Sequence, residues 1–170
     1  MTKKTQSVAT ILEREVAATI KEWLRRVNLL PELIRIPLND EDRAGHLPKL
    51  YRDLTCRLRL AKGAHLPLSG DAIAHGQRRR DQGYSPALLV EESRLFQVVT
   101  FRTLHLHQSE LDQDQLLLDI MVIADEVDLQ LMHAVNAFGT ASPRRNPAAI
   151  QEGFRQGDDP SRTGYFLPTG

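Results

Sequence analysis

The chain has 170 residues, the size of one domain, and 41% of them are hydrophobic, which is enough to form a buried core. Basic and acidic residues both number 22, so the chain lacks the basic excess of a typical nucleic-acid-binding protein. Its single cysteine, Cys56, excludes an intramolecular disulfide and is expected to be a small buried side chain in a reducing compartment. No signal peptide or membrane span follows Met1, so we expect a cytoplasmic protein.

Apolar residues spaced three and four apart predict helices through the first half of the chain. The first stripe runs from Val8 to Val27, and Ser7 is placed to cap its N-terminus. The apolar, proline-containing segment 29–38 is expected to be a packed connection. A short polar helix capped by Asn39 follows it. A leucine-rich stripe from Leu47 to Ala61 then predicts the next long helix.

The second half of the chain predicts three further helices. Ser69 begins a helix that runs to Gln82 and ends at Gly83. Ser85-Pro86 begins a helix that is apolar around most of its circumference and is therefore expected to lie centrally. The last long helix is predicted from Ser109 to Phe138, with Gly139 closing it. The pattern indicates an all-α fold.

Two regions are expected from this pattern. Residues 1–139 should form a single compact bundle of five or six helices, with a globin-like arrangement as one alternative. Residues 140–170 are rich in proline and glycine and predict a flexible tail, which could dock through the apolar run 165–167.

The helix predicted over 69–82 carries polar side chains where its neighbours have leucine and valine. His75, Gly76 and Arg79 follow three-four spacing, and Gln82 lies beside them. Glycine within a helix costs about 1 kcal/mol relative to alanine. We therefore expect another element to pack closely against the backbone at Gly76.

If this face points inward, Arg79 needs a partner, because an unpaired buried charge is very costly. Glu92 falls on the inward stripe of the next helix, and the adjacent Glu91 is the alternative. A bidentate Arg79–Glu92 bond would fix the angle between the two helices. Two interpretations stay open: a polar brace that sets helix geometry, or a pocket or partner groove lined by the same groups.

The polar run has a family resemblance that extends beyond these few residues. Its members are His75, Gly76, Arg79, Gln82, Gly83 and Tyr84, followed by Leu88, Leu89 and the acidic Glu91 and Glu92. This run resembles the N-terminal domain of RsbRD-type proteins, named for co-antagonists of the RsbT switch kinase; such domains also precede sensor histidine kinases. With weaker similarities at Trp23 and at His46-Leu47-Pro48, the resemblance covers residues 8–138.

The resemblance implies a helical sensory or regulatory module, usually dimeric, that feeds an output domain. Related stress-sensor input domains are globin-like but hold no haem. Neither a sulfate-transporter-like regulatory domain nor a histidine-kinase core follows here, so we expect either a stand-alone module or a fragment of a longer protein. Tyr84 joins the candidate site on this basis, beside Glu92 and Glu91, which the helical spacing already placed there.

The sequence thus predicts a non-catalytic signal-input domain of a bacterial signalling system, without a cofactor. No nucleophile elbow, P-loop or dinucleotide glycine pattern is present. The expected partners are a second copy of the chain and a downstream protein such as a kinase, with no nucleic acid and no membrane. The long final helix is the expected output element, and a half-exposed His75 could titrate with pH.

Two other functions remain open at this stage. The first is a haem- or small-molecule-binding globin-like sensor, in which His75, His105 or His133 could be the haem ligand. The second is a purely structural dimerisation module.

Overall fold

The computed structural model describes residues 5–60 and 67–140, and their regular structure is helical. Five helices have 12 or more residues and two are short. In chain order they are α1 (Val8–Val27), α2 (Pro31–Ile34), α3 (Asp40–Ala44), α4 (Leu47–Arg59), α5 (Gly70–Asp81), α6 (Pro86–Leu106) and α7 (Gln113–Gly139), with a 3-10 turn at Gln108–Glu110 between the last two. The all-α fold is confirmed; the predicted tail beyond residue 140 lies outside the described residues.

The predicted helix starts at three serines are confirmed. Each hydroxyl accepts a hydrogen bond from the backbone N–H three residues later, which satisfies one of the donors left free at a helix N-terminus. The caps are Ser7 on α1, Ser69 on α5 and Ser85 on α6, with O···N distances of 3.2, 3.1 and 3.4 Å. Asn39 caps α3 in the same way, at 2.7 Å.

The start predicted for the last helix was wrong by four residues. Ser109 lies in the 3-10 turn, and α7 begins at Gln113, where the side chain of Asp112 accepts a hydrogen bond from a backbone N–H. Leu111 is extended and forms an isolated bridge with Gln6, which interrupts the helix before that point. The segment 29–38 is a packed connection, as expected; it contains the single helical turn α2 and buries Leu33.

The core lies where α1 packs on α4 and α6, and α7 packs on α4, α5 and α6. It consists mainly of aliphatic side chains; the ring of Tyr51 meets Phe96 edge-on at 4.7 Å. Cys56 is exposed, so the expectation of a buried thiol was wrong. Across residues 5–60 and 67–140, every helix falls short of the length and apolar character that a membrane span needs.

Candidate functional site

Arg79 is the centre of a buried polar cluster. Its side chain is 0% exposed. Its Nε donates to Glu92 Oε2 at 2.9 Å, and its Nη1 donates to Gln82 Oε1 at 2.7 Å. The polar face of α5 therefore points inward, and Glu92 of α6 is the partner of Arg79, as the spacing predicted.

The Arg79–Glu92 bond is not bidentate, because Tyr84 takes the second oxygen of the carboxylate. The Tyr84 hydroxyl donates to Glu92 Oε1 at 2.8 Å, and the Arg79 guanidinium lies over the tyrosine ring at 4.7 Å. Gly83, with φ +86°, turns the chain out of α5 and brings Tyr84 back beneath it. Glu92 thus holds α5 and the α5–α6 connection against α6.

Glu91 does not belong to this cluster. It forms an ion pair with Arg94 at the surface, with an Nη2–Oε1 distance of 2.5 Å. Successive helical residues point about 100° apart, so Glu91 cannot share the inward direction of Glu92. The alternative pairing of Arg79 with Glu91 was wrong.

The cluster also reaches α3, which the sequence did not indicate. Arg79 donates to the backbone carbonyls of Asp42, at 3.3 Å, and of Arg43. The Arg43 side chain is itself buried and donates to the Tyr84 hydroxyl at 3.3 Å and to the Leu33 carbonyl at 3.1 Å. Two buried guanidinium groups therefore hold α2 and α3 against α5 and α6.

Two histidine rings complete the cluster. His46, just before α4, stacks on His75 of α5 with centroids 3.8 Å apart and planes 13° apart. The His46 ring is also close to perpendicular to Trp23, with centroids 6.1 Å apart, and Trp23 Nε1 donates to the backbone carbonyl of Glu92 at 3.3 Å. His75 is buried, not half-exposed as expected, and its Nε2 lies 3.6 Å from Glu92 Oε2. We call His46, His75, Arg79, Gln82, Tyr84, Glu92 and Arg43 the Arg79 cluster.

Both rings are held neutral by their surroundings. Burial, reinforced by the positive charges of Arg79 and Arg78, lowers the pKa of His75 to about 3. Burial and the neighbouring His75 and Arg79 lower the pKa of His46 well below its usual value. Burial raises the pKa of Glu92, and Arg79 opposes that shift. We treat Glu92 as ionised at neutral pH, because the guanidinium keeps its charge and would otherwise be unpaired.

The expected close approach to Gly76 is found on α7. A Cβ on Gly76 would lie 2.8 Å from the Ala134 Cα and closer still to its carbonyl group. No real Cβ fits at that distance, so only glycine lets α5 and α7 come this close. The site face of α5 is thereby coupled to the long last helix.

The donor set His46, His75 and Glu92 is also that of a metal site, because their ligand atoms lie within 4.8 Å of one another. Arg79 occupies the place of a cation there: it bonds Glu92 and its Nη2 lies 3.4 Å from His46 Nδ1. The adjoining cavity, lined by both histidines, has a volume of about 30 Å³, room for roughly one water. A haem does not fit at His75. Among residues 5–60 and 67–140, His75 Nδ1 is a buried atom without a hydrogen-bond partner.

Sequence reasoning found the centre of the cluster and missed its far side. Of the predicted residues, the structure brings together His75, Arg79, Gln82, Tyr84 and Glu92, with Gly76 on the same helix at the α7 contact. Sequence reasoning missed Arg43 as a member of the cluster and noted His46 only within the family resemblance. Arg43 closes an acidic run that is typical of a solvated surface, so no local signal distinguishes it.

Comparisons with protein families, with curated proteins and with solved structures find no match.

Proposed function

We propose that this chain is a non-catalytic, cytoplasmic signal-input domain of a bacterial signalling system, in which the Arg79 cluster sets the position of α7. The observation that carries the proposal is the fully buried Arg79, which bonds groups of α3, α5 and α6 at once. The charged and polar groups of the Arg79 cluster bond to one another and do not point into a substrate-sized cavity. This arrangement favours a conformational role over a catalytic one.

The path from the cluster to α7 runs through α5. Gly76 packs against the α7 backbone only one helical turn from Arg79, so a change in the cluster that moves α5 must also move α7. Packed helices shift between discrete arrangements rather than deforming continuously. The 27-residue α7 is therefore the natural output element.

The resemblance to RsbRD-type domains adds a homodimer to the proposal, and α7 offers a surface for it. Leu117, Leu118 and Met121 are exposed apolar residues within little more than one turn of that helix. Leu117→Glu is expected to shift the protein from dimer to monomer in size-exclusion chromatography with light scattering. Leu29→Glu is the matched control, because both leucines are 67% exposed. A wild-type monomer, or equal behaviour of the two variants, would contradict this dimer.

Signal transmission is tested by joining α7 in helical continuity to a histidine-kinase core that lacks its own sensor. In this chimaera we expect Arg79→Met with Glu92→Met to change autophosphorylation about fivefold or more, the lower range of a measurable allosteric coupling. Replacing the surface pair Glu91 and Arg94 by methionine is the control, since it removes the same residue types from the same region. Equal output from all three proteins, with the dimer intact, would instead identify a structural dimerisation module.

A further inference from the structure

A network of charged and polar side chains joins the first described residues, α1 and the connection between α6 and α7. Its members, which we call the His107 network, are Gln6, Arg14, Glu15, His107 and Glu110. It lies beside the start of α7, whereas Gly76 meets the same helix at Ala134, about 30 Å further along the helix axis. The His107 network is therefore separate from the Arg79 cluster.

Glu110 fastens the start of the chain to the connection between α6 and α7. The backbone N–H of Gln6 donates to the Glu110 carbonyl at 2.8 Å, and Gln6 Nε2 donates to Glu110 Oε2 at 3.0 Å. Arg14 Nη1 donates to the same carboxylate oxygen at 3.1 Å. These bonds keep Gln6 paired with Leu111, which is buried just before α7 begins. The bonding of Glu110 therefore affects how residues 5–7 lie against the start of α7.

One ring nitrogen of His107 has two competing partners. Nδ1 lies 2.9 Å from Glu110 Oε1 and 3.1 Å from Arg14 Nη2, while Nε2 lies 3.6 Å from Glu15 Oε1. A guanidinium only donates hydrogen bonds, and an ionised carboxylate only accepts them. Nδ1 must therefore carry a proton to bond Glu110 and must lack that proton to bond Arg14.

The protonation state of His107 selects between these two partners. The neutral ring satisfies its surroundings best with its hydrogen on Nε2, directed toward Glu15, and with Nδ1 accepting from Arg14. The charged ring has N–H groups on both nitrogens and directs them toward Glu110 and Glu15. Histidine is the side chain whose charge changes between pH 5 and 8. Within that range, His107 exchanges Arg14 for Glu110 as the partner of Nδ1.

The charges around His107 favour the protonated arrangement. Arg14 and Glu15 of α1 and Glu110 of the 3-10 turn are the charged groups that face the ring. With a neutral ring, one cation faces two carboxylates; with a charged ring, two cations do. His107 and Arg14 lower the pKa of Glu110 to about 2, so Glu110 stays ionised between pH 5 and 8. The stability that this pairing contributes is present while His107 is charged and is lost as the pH rises through its titration.

We propose that His107 is a proton-sensitive switch for the N-terminal segment. The charged ring holds Glu110 and, through it, keeps Gln6 paired with Leu111 at the start of α7. The neutral ring bonds Arg14 instead, and the pairing of Gln6 with Leu111 loosens. This inference does not depend on whether α7 transmits a signal, so either proposal can fail alone.

The test is heteronuclear NMR of the full chain between pH 5.0 and 8.5. The ring nitrogens of His107 report its protonation state and tautomer. Amide exchange of Gln6 reports the pairing, expressed as a protection factor relative to an unfolded chain at the same pH. As His107 loses its proton, we expect the ring to keep its hydrogen on Nε2. The protection factor should fall about two- to fivefold, the effect of one surface ion pair.

Two substitutions assign this pH dependence to His107. His107→Gln should remove the change in the protection factor of Gln6 between pH 5.0 and 8.5. His105→Gln is the matched control, because His105 is an exposed histidine two residues earlier on α6, and it should keep the wild-type change.

Three results would overturn the proposal. The first is a constant protection factor of Gln6 in the wild type while the His107 ring titrates. The second is an unaltered pH dependence in His107→Gln, which would place its origin in another group. The third is a neutral ring with its hydrogen on Nδ1, since that tautomer cannot accept from Arg14 at this nitrogen.

Discussion

Acidification is expected to destabilise the fold through His75. The ring has a pKa of about 3 in the folded protein and 6.5 in the unfolded chain, so between these values only the unfolded chain binds the proton. Stability from this group is therefore complete above pH 6.5 and is lost as the pH falls toward 3, at about 1.4 kcal/mol per pH unit. At pH 5.0 the loss reaches about 2 kcal/mol for His75 alone.

Urea unfolding followed by circular dichroism at pH 7.5 and pH 5.0 measures this loss. His75→Gln removes the titrating ring but keeps a neutral polar side chain. Between pH 7.5 and pH 5.0, the free energy of unfolding should therefore fall by about 2 kcal/mol more in the wild type than in this variant. Burial and Arg79 still lower the pKa of His46 in the variant, so the main part of the His46 contribution is common to both proteins. His105→Gln, at an exposed position on α6, should behave like the wild type. If the wild type and His75→Gln lost the same stability on acidification, the assignment of a buried, neutral His75 would be refuted.

Three further substitutions test the packing of the cluster. Gly76→Ala should destabilise the fold by about 1–3 kcal/mol, because the new methyl group meets the α7 backbone. Gly70→Ala is the control, since the space at its Cβ is open, and it should not destabilise the fold. The thermal midpoints of the two variants measure the difference. Arg79→Met should lower the free energy of unfolding by about 3–5 kcal/mol in chemical denaturation, because it leaves the buried Glu92 without its cation. Adding Glu92→Met to this variant should restore part of the lost stability. Tyr84→Phe should cost about 1–3 kcal/mol, since it removes the hydroxyl that donates to Glu92, and an unchanged midpoint would contradict that role.

The sequence predicted most of the helices because their signals are local. Serine caps, proline at the first helical position and apolar stripes all act within a few residues. The start of α7 was missed because it depends on a contact between Leu111 and Gln6, which are far apart in the sequence. The outward position of Cys56 was missed because one small residue adds little to the direction of a helical stripe.

The candidate site divides in the same way. Arg79 and Glu92 were paired correctly because they lie 13 residues apart on consecutive helices whose inward faces could both be predicted. The stack of His46 on His75 and the bonds of Arg43 depend on how α2 and α3 fold across α5, which no periodicity specifies. The likeness to RsbRD-type domains stays a prediction; it rests on the residues of the polar run, with weaker similarities at Trp23 and at His46-Leu47-Pro48.

The position of α7 can be measured by electron spin resonance between two labels. Lys21→Cys on α1 and Met132→Cys on α7 place labels at exposed positions, in a background where Cys56→Ser removes the native thiol. Dilution with unlabelled protein suppresses distances between copies of the chain. The labelled protein then reports how α7 lies relative to the bundle.

This distance is the most direct test of the claim that the Arg79 cluster sets the position of α7. In the double variant Arg79→Met with Glu92→Met, we expect the distance distribution to shift or to split into two populations, while the surface variant Glu91→Met with Arg94→Met matches the wild type. A double variant that remains folded and gives the same distribution as the wild type would contradict the claim.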